Sequence, residues 1–429
     1  MRAFVPSSLL PASRRRRAGA AGFTLIELMV AMTGGLFLSI VVFALSRDAS
    51  RFYQRESRIA NATLAGVSGF ERLSGDVARA GHLVTPNIDA DPRVCNKPAG
   101  NWPAMLRHLR AVLIENDQTL LASTELAEAG IKPQGIVLAG ALNMPEVLTT
   151  ASVSELGGGG WQISLNTATP AAARAGLSAA NSATAANLAV MQSIFLSGGN
   201  GRIVRLRKKG VDQYGVVKSV STAEGTINAL ALITLDTAPD LVRPTSGSVQ
   251  CGISGNGEDM DLSVIDLVRY SIRPMIGNTD YAALFKASGL GATGLPYEAK
   301  RAELVRVELT PAGAEIASTT EIVGEYAVDL QFSAWRASSP IDPSLVAVTA
   351  DINDTYASTQ LLRGLHLRFS VRSREADRLS DVAGGSGGGA NSDRYRVKLN
   401  MPSPAQPVYA RVRTFQSDIP LRNLENSLW

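Results

Sequence analysis

A single apolar segment near the N-terminus constrains the fold of this chain more than any other feature. Between Ala18 and Ser46 the one charged residue is Glu27, and four arginines, Arg14 to Arg17, stand directly before the segment. A helix of roughly 20 apolar residues crosses a hydrocarbon core of about 30 Å, so this segment is long enough to span a membrane. Because basic flanks stay in the cytoplasm, the residues after Leu45 are expected on the far side.

Two common explanations of such a segment leave part of it unexplained. A cleaved secretory signal has an apolar core of roughly 7–15 residues and ends at a site of small residues. This segment is longer, and no such site precedes Arg47. A plain membrane anchor fits the length but gives no reason for Glu27, since a carboxylate in lipid costs about 2.5–3.5 kcal/mol.

The residues around Glu27 carry a more specific pattern. Gly22-Phe-Thr-Leu-Ile-Glu27 resembles the class III leader junction of type IV pilins and pseudopilins. The resemblance implies that a prepilin peptidase cuts after Gly22 and that the amine of the new N-terminus, Phe23, is methylated. It also implies that Glu27, fifth in the mature chain, pairs with the N-terminal ammonium of a neighbouring subunit. Pairing makes a buried carboxylate tolerable, and removing one partner is strongly destabilising.

Removal of the leader changes the charge of the protein. The chain has 42 basic and 38 acidic residues, and five of the basic ones, Arg2 and Arg14 to Arg17, precede the junction. The mature chain therefore has 37 basic against 38 acidic residues, a net charge near −1. This balance gives no argument for a nucleic-acid partner.

A long helix is predicted to follow the junction. From Phe23 to Ala80 the sequence has no proline, and a helix of these residues would extend about 87 Å. After Arg47 the apolar residues recur mostly at steps of three and four, which predicts an amphipathic half. The apolar side is assigned to Phe52, Ile59, Thr63, Val67, Phe70, Ser74 and Val77. The polar side is assigned to Arg47, Asp48, Arg51, Arg55, Glu56, Arg58, Glu71, Arg72, Asp76 and Arg79.

These boundaries predict four parts of the chain. They are a leader over residues 1–22, a transmembrane or fibre-core helix over 23–46, an amphipathic helix over 47–81 and a head over 82–429. Gly81 is the expected C-cap of the helix. Each glycine of Gly34-Gly35 weakens the helix by about 1 kcal/mol. The pair either allows helices to pack closely or lets this helix loosen inside a fibre, and the sequence favours neither.

The end of the amphipathic half points to a narrower family. Phe70-Glu-Arg-Leu-Ser-Gly-Asp-Val-Ala-Arg-Ala-Gly-His82 resembles the end of the first helix in PilW-type minor pilins, although Ala78 separates Val77 from Arg79 here. The segments Glu321–Phe332, Gly364–Ser373 and Ile419–Asn423 are also similar to that family. The resemblance is strong over residues 14–82, patchy over 300–425 and nearly absent over 95–260. Major pilins are much shorter, so the length also favours a minor pilin.

Beyond His82 the sequence predicts an antiparallel β-rich head, large enough for two lobes. The fold class is therefore α+β and pilin-like, with a long N-terminal helix packed on this head. The Ala/Ser/Asn-rich segment Thr167–Ala189 is either a helix or a solvent-facing insertion. The predicted strands are Arg110–Ile114, Gly135–Leu138, Trp161–Leu165, Arg202–Arg207, Tyr214–Val220, Ala229–Leu235, Val264–Ile272, Glu303–Leu309, Leu362–Val371, Arg394–Leu399 and Val408–Thr414.

The two cysteines, Cys95 and Cys251, lie in Pro/Gly-rich loop sequence of a head expected in an oxidising compartment. A disulfide between them would close a loop of about 155 residues and contribute ~5 kcal/mol by loop entropy. The alternative is a pair of buried thiols, and the loop context favours the bridge.

Catalytic chemistry finds little support in the sequence. The three histidines, His82, His108 and His366, are far apart, and none has a metal-ligand partner at short spacing. The acidic run Asn256-Gly-Glu-Asp-Met-Asp261 offers oxygen ligands for calcium, but without EF-hand spacing a solvated loop is the better interpretation. We therefore expect no catalytic residues, no cofactor and no metal site.

The expected function is that of a minor pilin in the complex that primes pilus assembly. Expected partners are the prepilin peptidase, other minor pilins and the major pilin. The protein would span the inner membrane once, with its head in the periplasm, and then join a cell-surface pilus. Two alternatives remain: a pilus-displayed adhesin or DNA-uptake receptor, and a J-type pseudopilin of type II secretion, a class that is usually shorter.

Overall fold

A computed structural model provides the fold. It describes residues 24–116, 126, 130–177, 185–222, 231–243, 251–253, 255–281, 301–340, 342, 344–348, 358–374, 396–399 and 408–425. The chain divides into two compact units, Met1–Ser57 and Arg58–Trp429.

The predicted helix forms without interruption. Helix α1 spans Leu25–Arg79, and the sequence offers no proline that could break it. It ends where Gly81 adopts a left-handed conformation, with φ of +78°, which a glycine takes without strain. Two contacts fix this end: the Gly81 N–H donates to Ala139 O at 2.9 Å, and Asn423 Nδ2 donates to Ala80 O at 3.1 Å.

Three further helices and several single turns are short. The helices are α2 (Ala104–Arg107), α3 (Pro170–Arg174) and α4 (Ala185–Phe195). The 3-10 turns lie at Thr279–Tyr281, Ala317–Thr319, Thr359–Leu361 and Arg422–Leu424. The segment Thr167–Ala189, which the sequence left undecided, thus contains α3 and the start of α4.

The rest of the second unit is built of antiparallel strands. In chain order they are β1 (Val112–Glu115), β2 (Gly135–Gly140), β3 (Leu148–Glu155), β4 (Trp161–Leu165), β5 (Leu196–Ser197), β6 (Asn200–Gly201), β7 (Ile203–Lys208), β8 (Val211–Thr222), β9 (Ala231–Leu235), β10 (Asp261–Arg273), β11 (Glu303–Glu308), β12 (Glu321–Gly324), β13 (Ala327–Ala337), β14 (Leu345–Val348), β15 (Leu362–Arg372), β16 (Arg396–Leu399) and β17 (Val408–Pro420).

Strand β10 belongs to two sheets at once. Its first half pairs with β3 and β7, and its second half pairs with β2 and β11. The pairings β3–β4–β9–β8–β7–β10 return to β3, so these six strands close an antiparallel barrel. Closure leaves no free edge among them. Side chains such as Trp161, Ile163 and Ile233 fill the barrel core together with Met191 and Phe195 of α4.

The second half of β10 lies in an open sheet of order β1–β2–β10–β11–β12. A separate five-stranded sheet has the order β14–β13–β15–β17–β16. The last turns of α1 share one apolar core with both sheets, and Leu73, Val77 and Ala80 of the helix are completely buried there. The amphipathic end of the helix is thus a core element of the head.

Two glycines let the sheets approach this part of the helix. A Cβ at Gly66 would lie 2.3 Å from the Phe415 ring, and one at Gly69 would lie 2.9 Å from the carbonyl oxygen of Val323. Phe70 packs on Phe415, with ring centroids 5.8 Å apart. The Gly66–Gly69 step therefore sets the distance between the helix and two neighbouring chain segments.

The α+β, pilin-like fold class is confirmed, and each of the eleven predicted strands overlaps a strand of the structure. Two of them begin at residues 229–230 and 394–395, which lie outside the described residues. Two assignments on the helix were wrong. Asp76, assigned to the polar surface, has no exposed side-chain area, whereas Phe52, assigned to the apolar stripe, is 65% exposed. Asp76 is buried because strands β10 and β11 bring polar partners to it, which the helical pattern alone cannot show.

A buried and an exposed glycine of α1, Gly69 and Gly75, give a matched stability test. Gly69→Ala should lower the melting temperature, because the new methyl group meets the Val323 carbonyl and overpacking costs about 1–3 kcal/mol. Gly75→Ala should raise it, since nothing lies within 4 Å and alanine favours a helix by about 1 kcal/mol. Thermal unfolding of the full chain in detergent measures both. A stabilising Gly69→Ala would contradict the close approach described above.

Candidate functional site at the ends of the long helix

The helix begins with a reciprocal pair of hydrogen bonds between Thr24 and Glu27. The Thr24 N–H and hydroxyl donate to Glu27 Oε2 at 3.0 and 3.1 Å, and the Glu27 N–H donates to Thr24 Oγ1 at 3.2 Å. Thr24 O accepts the first helical bond, from the Leu28 N–H at 3.1 Å. This is a capping box, in which a hydroxyl residue and a glutamate three positions later satisfy free N–H groups at the helix start.

The capping box uses one oxygen of the carboxylate. Both hydrogen bonds from Thr24 go to Oε2, and among the described residues Oε1 accepts none. A carboxylate at a helix N-terminus is also favoured by the helix dipole. Glu27 is therefore partly satisfied within its own chain and keeps one oxygen for a donor from outside.

Two other polar side chains of the apolar part, those of Thr33 and Ser39, are bonded within the helix. Thr33 Oγ1 donates to the carbonyls of Met29 and Val30, both at 3.0 Å, and Ser39 Oγ donates to Gly35 O at 2.8 Å. Internal satisfaction of this kind is what a lipid environment requires. The part of α1 over Leu25–Ser50 is long and apolar enough to cross a membrane.

Gly34-Gly35 lies inside this membrane-length part, and α1 continues through both residues. A Cβ at either position would meet nothing within 4 Å. Close helix packing and loosening in a fibre both remain predictions for this pair. The predicted cleavage residues, Gly22 and Phe23, lie outside the described residues.

At its other end α1 is held by a buried ionic group. Asp76 Oδ2 accepts hydrogen bonds from Tyr270 Oη at 2.6 Å and from Arg306 Nε at 3.1 Å, while its Oδ1 contacts the Arg79 guanidinium. Tyr270 lies on β10 and Arg306 on β11, so one carboxylate joins the helix to two strands. Arg79 Nη1 also donates to Leu142 O at 2.8 Å.

The electrostatics of Asp76 favour its charged form. Burial opposes ionisation, but the hydrogen bond from Tyr270 and the charge of Arg306 outweigh it and lower the pKa of the Asp76 carboxyl. Burial and the neighbouring carboxylate raise the pKa of the Tyr270 hydroxyl, which therefore stays protonated as the donor. The group is thus an ion pair with an additional neutral hydrogen bond.

Polar contacts continue from Arg306 toward the barrel. Arg306 Nη2 donates to Asn143 Oδ1 at 3.3 Å, and Asn143 Nδ2 donates to Glu308 Oε1 at 2.8 Å. Arg202 then bridges Glu308 at 3.0 Å and Asp266 at 3.1 Å. This chain of contacts connects the helix end, the open sheet and strand β10 where it enters the barrel.

The two cysteines are joined in a disulfide, with 5.6 Å between their Cα atoms. Cys95 is buried, and its N–H donates to Asp212 O at 2.9 Å on β8. Val94 pairs with Asp212 in a parallel bridge. These backbone contacts hold the segment after the helix against strand β8 of the barrel. The disulfide predicted from the sequence is confirmed, and the alternative of two buried thiols is wrong.

The other residues considered for chemistry remain apart. His108 lies 3.4 Å from Asp89, and His366 lies 2.7 Å from Asp418 on the five-stranded sheet. In the acidic run, Glu258 and Asp259 are exposed, while Asp261 begins β10 and pairs with Thr149 and Arg207. Within the described ranges no group of three His, Cys, Asp or Glu side chains is placed to hold a metal ion.

Comparison with known proteins supports the N-terminal part of this description. Residues 17–33 match the family model described as the prokaryotic N-terminal methylation motif. The matched stretch includes Gly22, Phe23 and Glu27. No curated protein and no solved structure matches the chain. The leader is therefore of the prepilin type, and with the membrane-length helix it indicates a membrane-anchored subunit of the type IV pilin and pseudopilin class.

Sequence reasoning missed several residues of the two helix ends. The capping box could have been found, because Thr24-x-x-Glu27 before an apolar run is its ordinary signature. Tyr270 and Arg306 could not, since they lie 194 and 230 positions from Asp76 along the chain. The sequence pointed to Asn423 only as part of the segment Ile419–Asn423. In the structure its side chain contacts the Ala80 carbonyl at the end of α1.

Replacing Asp76 should destabilise the head and remove part of its pH dependence. Asp76→Asn leaves Arg306 buried without its carboxylate, which typically costs about 3–5 kcal/mol. Because the folded pKa of Asp76 is lowered, its stabilisation is present above the unfolded pKa and is lost as pH falls through the folded pKa. Urea unfolding between pH 7 and pH 3 should show this loss in the wild type and not in the variant.

The control for this prediction is Glu71→Gln, which neutralises an exposed carboxylate on the same helix. It should change the free energy of unfolding by no more than about 0.5 kcal/mol. Equal effects of the two substitutions would show that the buried contacts of Asp76 contribute nothing special.

Proposed function

We propose that this chain is a minor pilin of the type IV pilus, related to the PilW type, and a structural subunit of the complex that primes pilus assembly. In this proposal a prepilin peptidase cuts between Gly22 and Phe23, and the amine of Phe23 is methylated. The mature protein waits in the inner membrane with its head in the periplasm. It then joins other minor pilins and the major pilin and is displayed at the cell surface. It needs no cofactor and catalyses no reaction.

The proposal rests on the hydrogen bonds of the Glu27 carboxylate. Its Oε2 is held by Thr24, and among the described residues its Oε1 has no hydrogen-bond partner. In an apolar surrounding that oxygen favours a cationic donor, and a neighbouring Phe23 ammonium supplies one. A membrane anchor that acted alone would gain only the helix cap from this residue, and a neutral glutamine provides that cap as well.

The large head supports a minor over a major subunit. Strands β3, β4 and β7 to β10 form a closed barrel whose core includes side chains of helix α4. This barrel is additional to the helix-and-sheet core that holds the end of α1. A fibre shaft built of many copies requires a compact repeating head, whereas a subunit present in few copies is free of that constraint. A J-type pseudopilin would share the same N-terminus. A minor pilin and a pseudopilin differ in whether the protein acts in pili or in secretion.

The pairing role of Glu27 can be separated from its capping role. Glu27→Gln keeps a capping box, because glutamine also serves at this position, but it removes the charge. Its membrane level should equal that of the wild type. Its recovery in sheared pili, or with co-expressed minor pilins, should fall by between about a hundredfold and several thousandfold, since an unpaired ammonium in an apolar site costs about 3–5 kcal/mol.

Thr24→Ser is the matched control, since serine preserves the cap without changing the charge. Intact mass should show every variant beginning at a methylated Phe23. Equal recovery of Glu27→Gln and wild type would refute the pairing role. Assembled protein that retained Arg14 to Arg17 would refute the prepilin assignment.

Deletion of the gene tests the biological role. A priming subunit should be required for piliation, so surface pili should be lost and return when the wild-type gene is supplied. Intact pili with a defect in type II secretion would instead identify a pseudopilin. Intact pili with a defect only in attachment would identify a displayed receptor.

A further inference from the structure

The five-stranded sheet has two chemically different faces. Its inner face carries Phe332, Leu367 and Phe369, which are buried, and Phe415, which packs on Phe70 of α1. Alternate residues on the same strands point to the outer face, because successive side chains of a strand alternate. The outer positions of β13, β15 and β17 include Trp335, Gly364, His366, Arg368 and Asp418.

The indole ring of Trp335 lies on the outer face next to a glycine. Trp335 pairs with Gly364 across the strands, and the missing Cβ of that glycine would lie 3.5 Å from the Trp335 ring. The ring meets His366 edge to face, with centroids 6.3 Å apart. Trp335 is half-buried, so part of a large aromatic surface remains open to solvent beside polar groups.

Polar groups of the outer face are held in fixed pairs, one beside the indole and one further along the strands. His366 Nδ1 lies 2.7 Å from Asp418 Oδ1, and Arg368 Nη2 donates to Asp329 Oδ2 at 2.8 Å. An ionised carboxylate only accepts, so the proton is on Nδ1 and Nε2 of the neutral ring is an acceptor. The Asp418 and Arg368 side chains are 67% and 48% exposed, which leaves donors and acceptors for a ligand.

We propose that this outer face is a binding surface for a neutral saccharide chain, with one sugar ring stacked on Trp335. The apolar C–H face of a pyranose fits an indole, whose π-face is electron-rich. Its hydroxyls both donate and accept, matching His366 Nε2, the carboxylate of Asp418 and the guanidinium of Arg368. This activity lies beyond the structural role proposed above.

The charge balance of the face selects this class of ligand. The carboxylates of Asp329 and Asp418 outnumber the guanidinium of Arg368, so these residues give the face no excess of positive charge. Nucleic acid requires an excess of cationic side chains to neutralise its phosphates. These residues lie on one side of a sheet, whereas small-molecule ligands are usually held in concave pockets. An extended neutral polymer suits both properties.

The opposite face of the same sheet packs on α1 through Phe415, so α1 does not cover Trp335.

Titration of the full chain with defined oligosaccharides tests the proposal. The protein is kept in lauryldimethylamine oxide, because sugar-based detergents would compete for the site. The probes are cellohexaose, chitohexaose, maltohexaose and xylohexaose, measured by calorimetry. At least one should bind the wild type. Trp335→Ala should weaken that binding at least tenfold, Trp335→Phe less, and Asp418→Asn measurably.

Arg413→Ala is the control, since Arg413 is exposed on the inner side of the same sheet and should leave affinity unchanged. Thermal unfolding of every variant reports its folding, and recovery in sheared pili reports assembly. Binding of no probe by the wild type, or equal binding by Trp335→Ala, overturns the proposal. Unchanged saccharide binding together with a loss of partner pilins in Trp335→Ala would identify a protein interface and overturn it as well.

Discussion

The buried contact of Asp76 with Tyr270 and Arg306 is the interaction on which the rest of the head depends. It ties the last turns of α1 to β10 and β11 at distances of 2.6 and 3.1 Å. β10 is also the strand that closes the barrel and belongs to the open sheet. A carboxylate without exposed surface is tolerated only with full partners, so the register of helix against strands is fixed at this point. Apolar packing of Leu73 and Val77 alone would allow the helix to slide.

The end of α1 is held to the head by contacts of several kinds. The Gly81 N–H bonds to β2, Arg79 to Leu142 and Asn423 to the Ala80 carbonyl. Further along the chain, Cys95 forms the disulfide with Cys251 and donates its N–H to Asp212 O on the barrel strand β8.

The sequence predicted those elements whose pattern is local. Strand β15 has apolar residues at alternate positions from Leu365 to Val371, and α1 has an unbroken helical pattern with a glycine at its end. Strand β3, Leu-Thr-Thr-Ala-Ser-Val-Ser-Glu, was missed because it shows little apolar contrast and forms through barrel closure. Helix α4 has apolar residues around most of its circumference, interrupted by Asn187, Gln192 and Ser193, which obscures its period. Partners of Asp76 lie too far along the chain for any pattern to reveal them.

In the proposed assembly, Glu27 would serve two states of the same chain. In a single subunit, Thr24 satisfies Oε2, which lowers the cost of placing a carboxylate in an apolar helix. A neighbouring ammonium approaching Oε1 would not have to break these bonds, because the two oxygens accept independently. The capping box would then position the carboxylate before a partner arrives, and pairing would add to the cap instead of replacing it. On this argument the threonine three residues before the glutamate contributes to assembly as well as to the helix start.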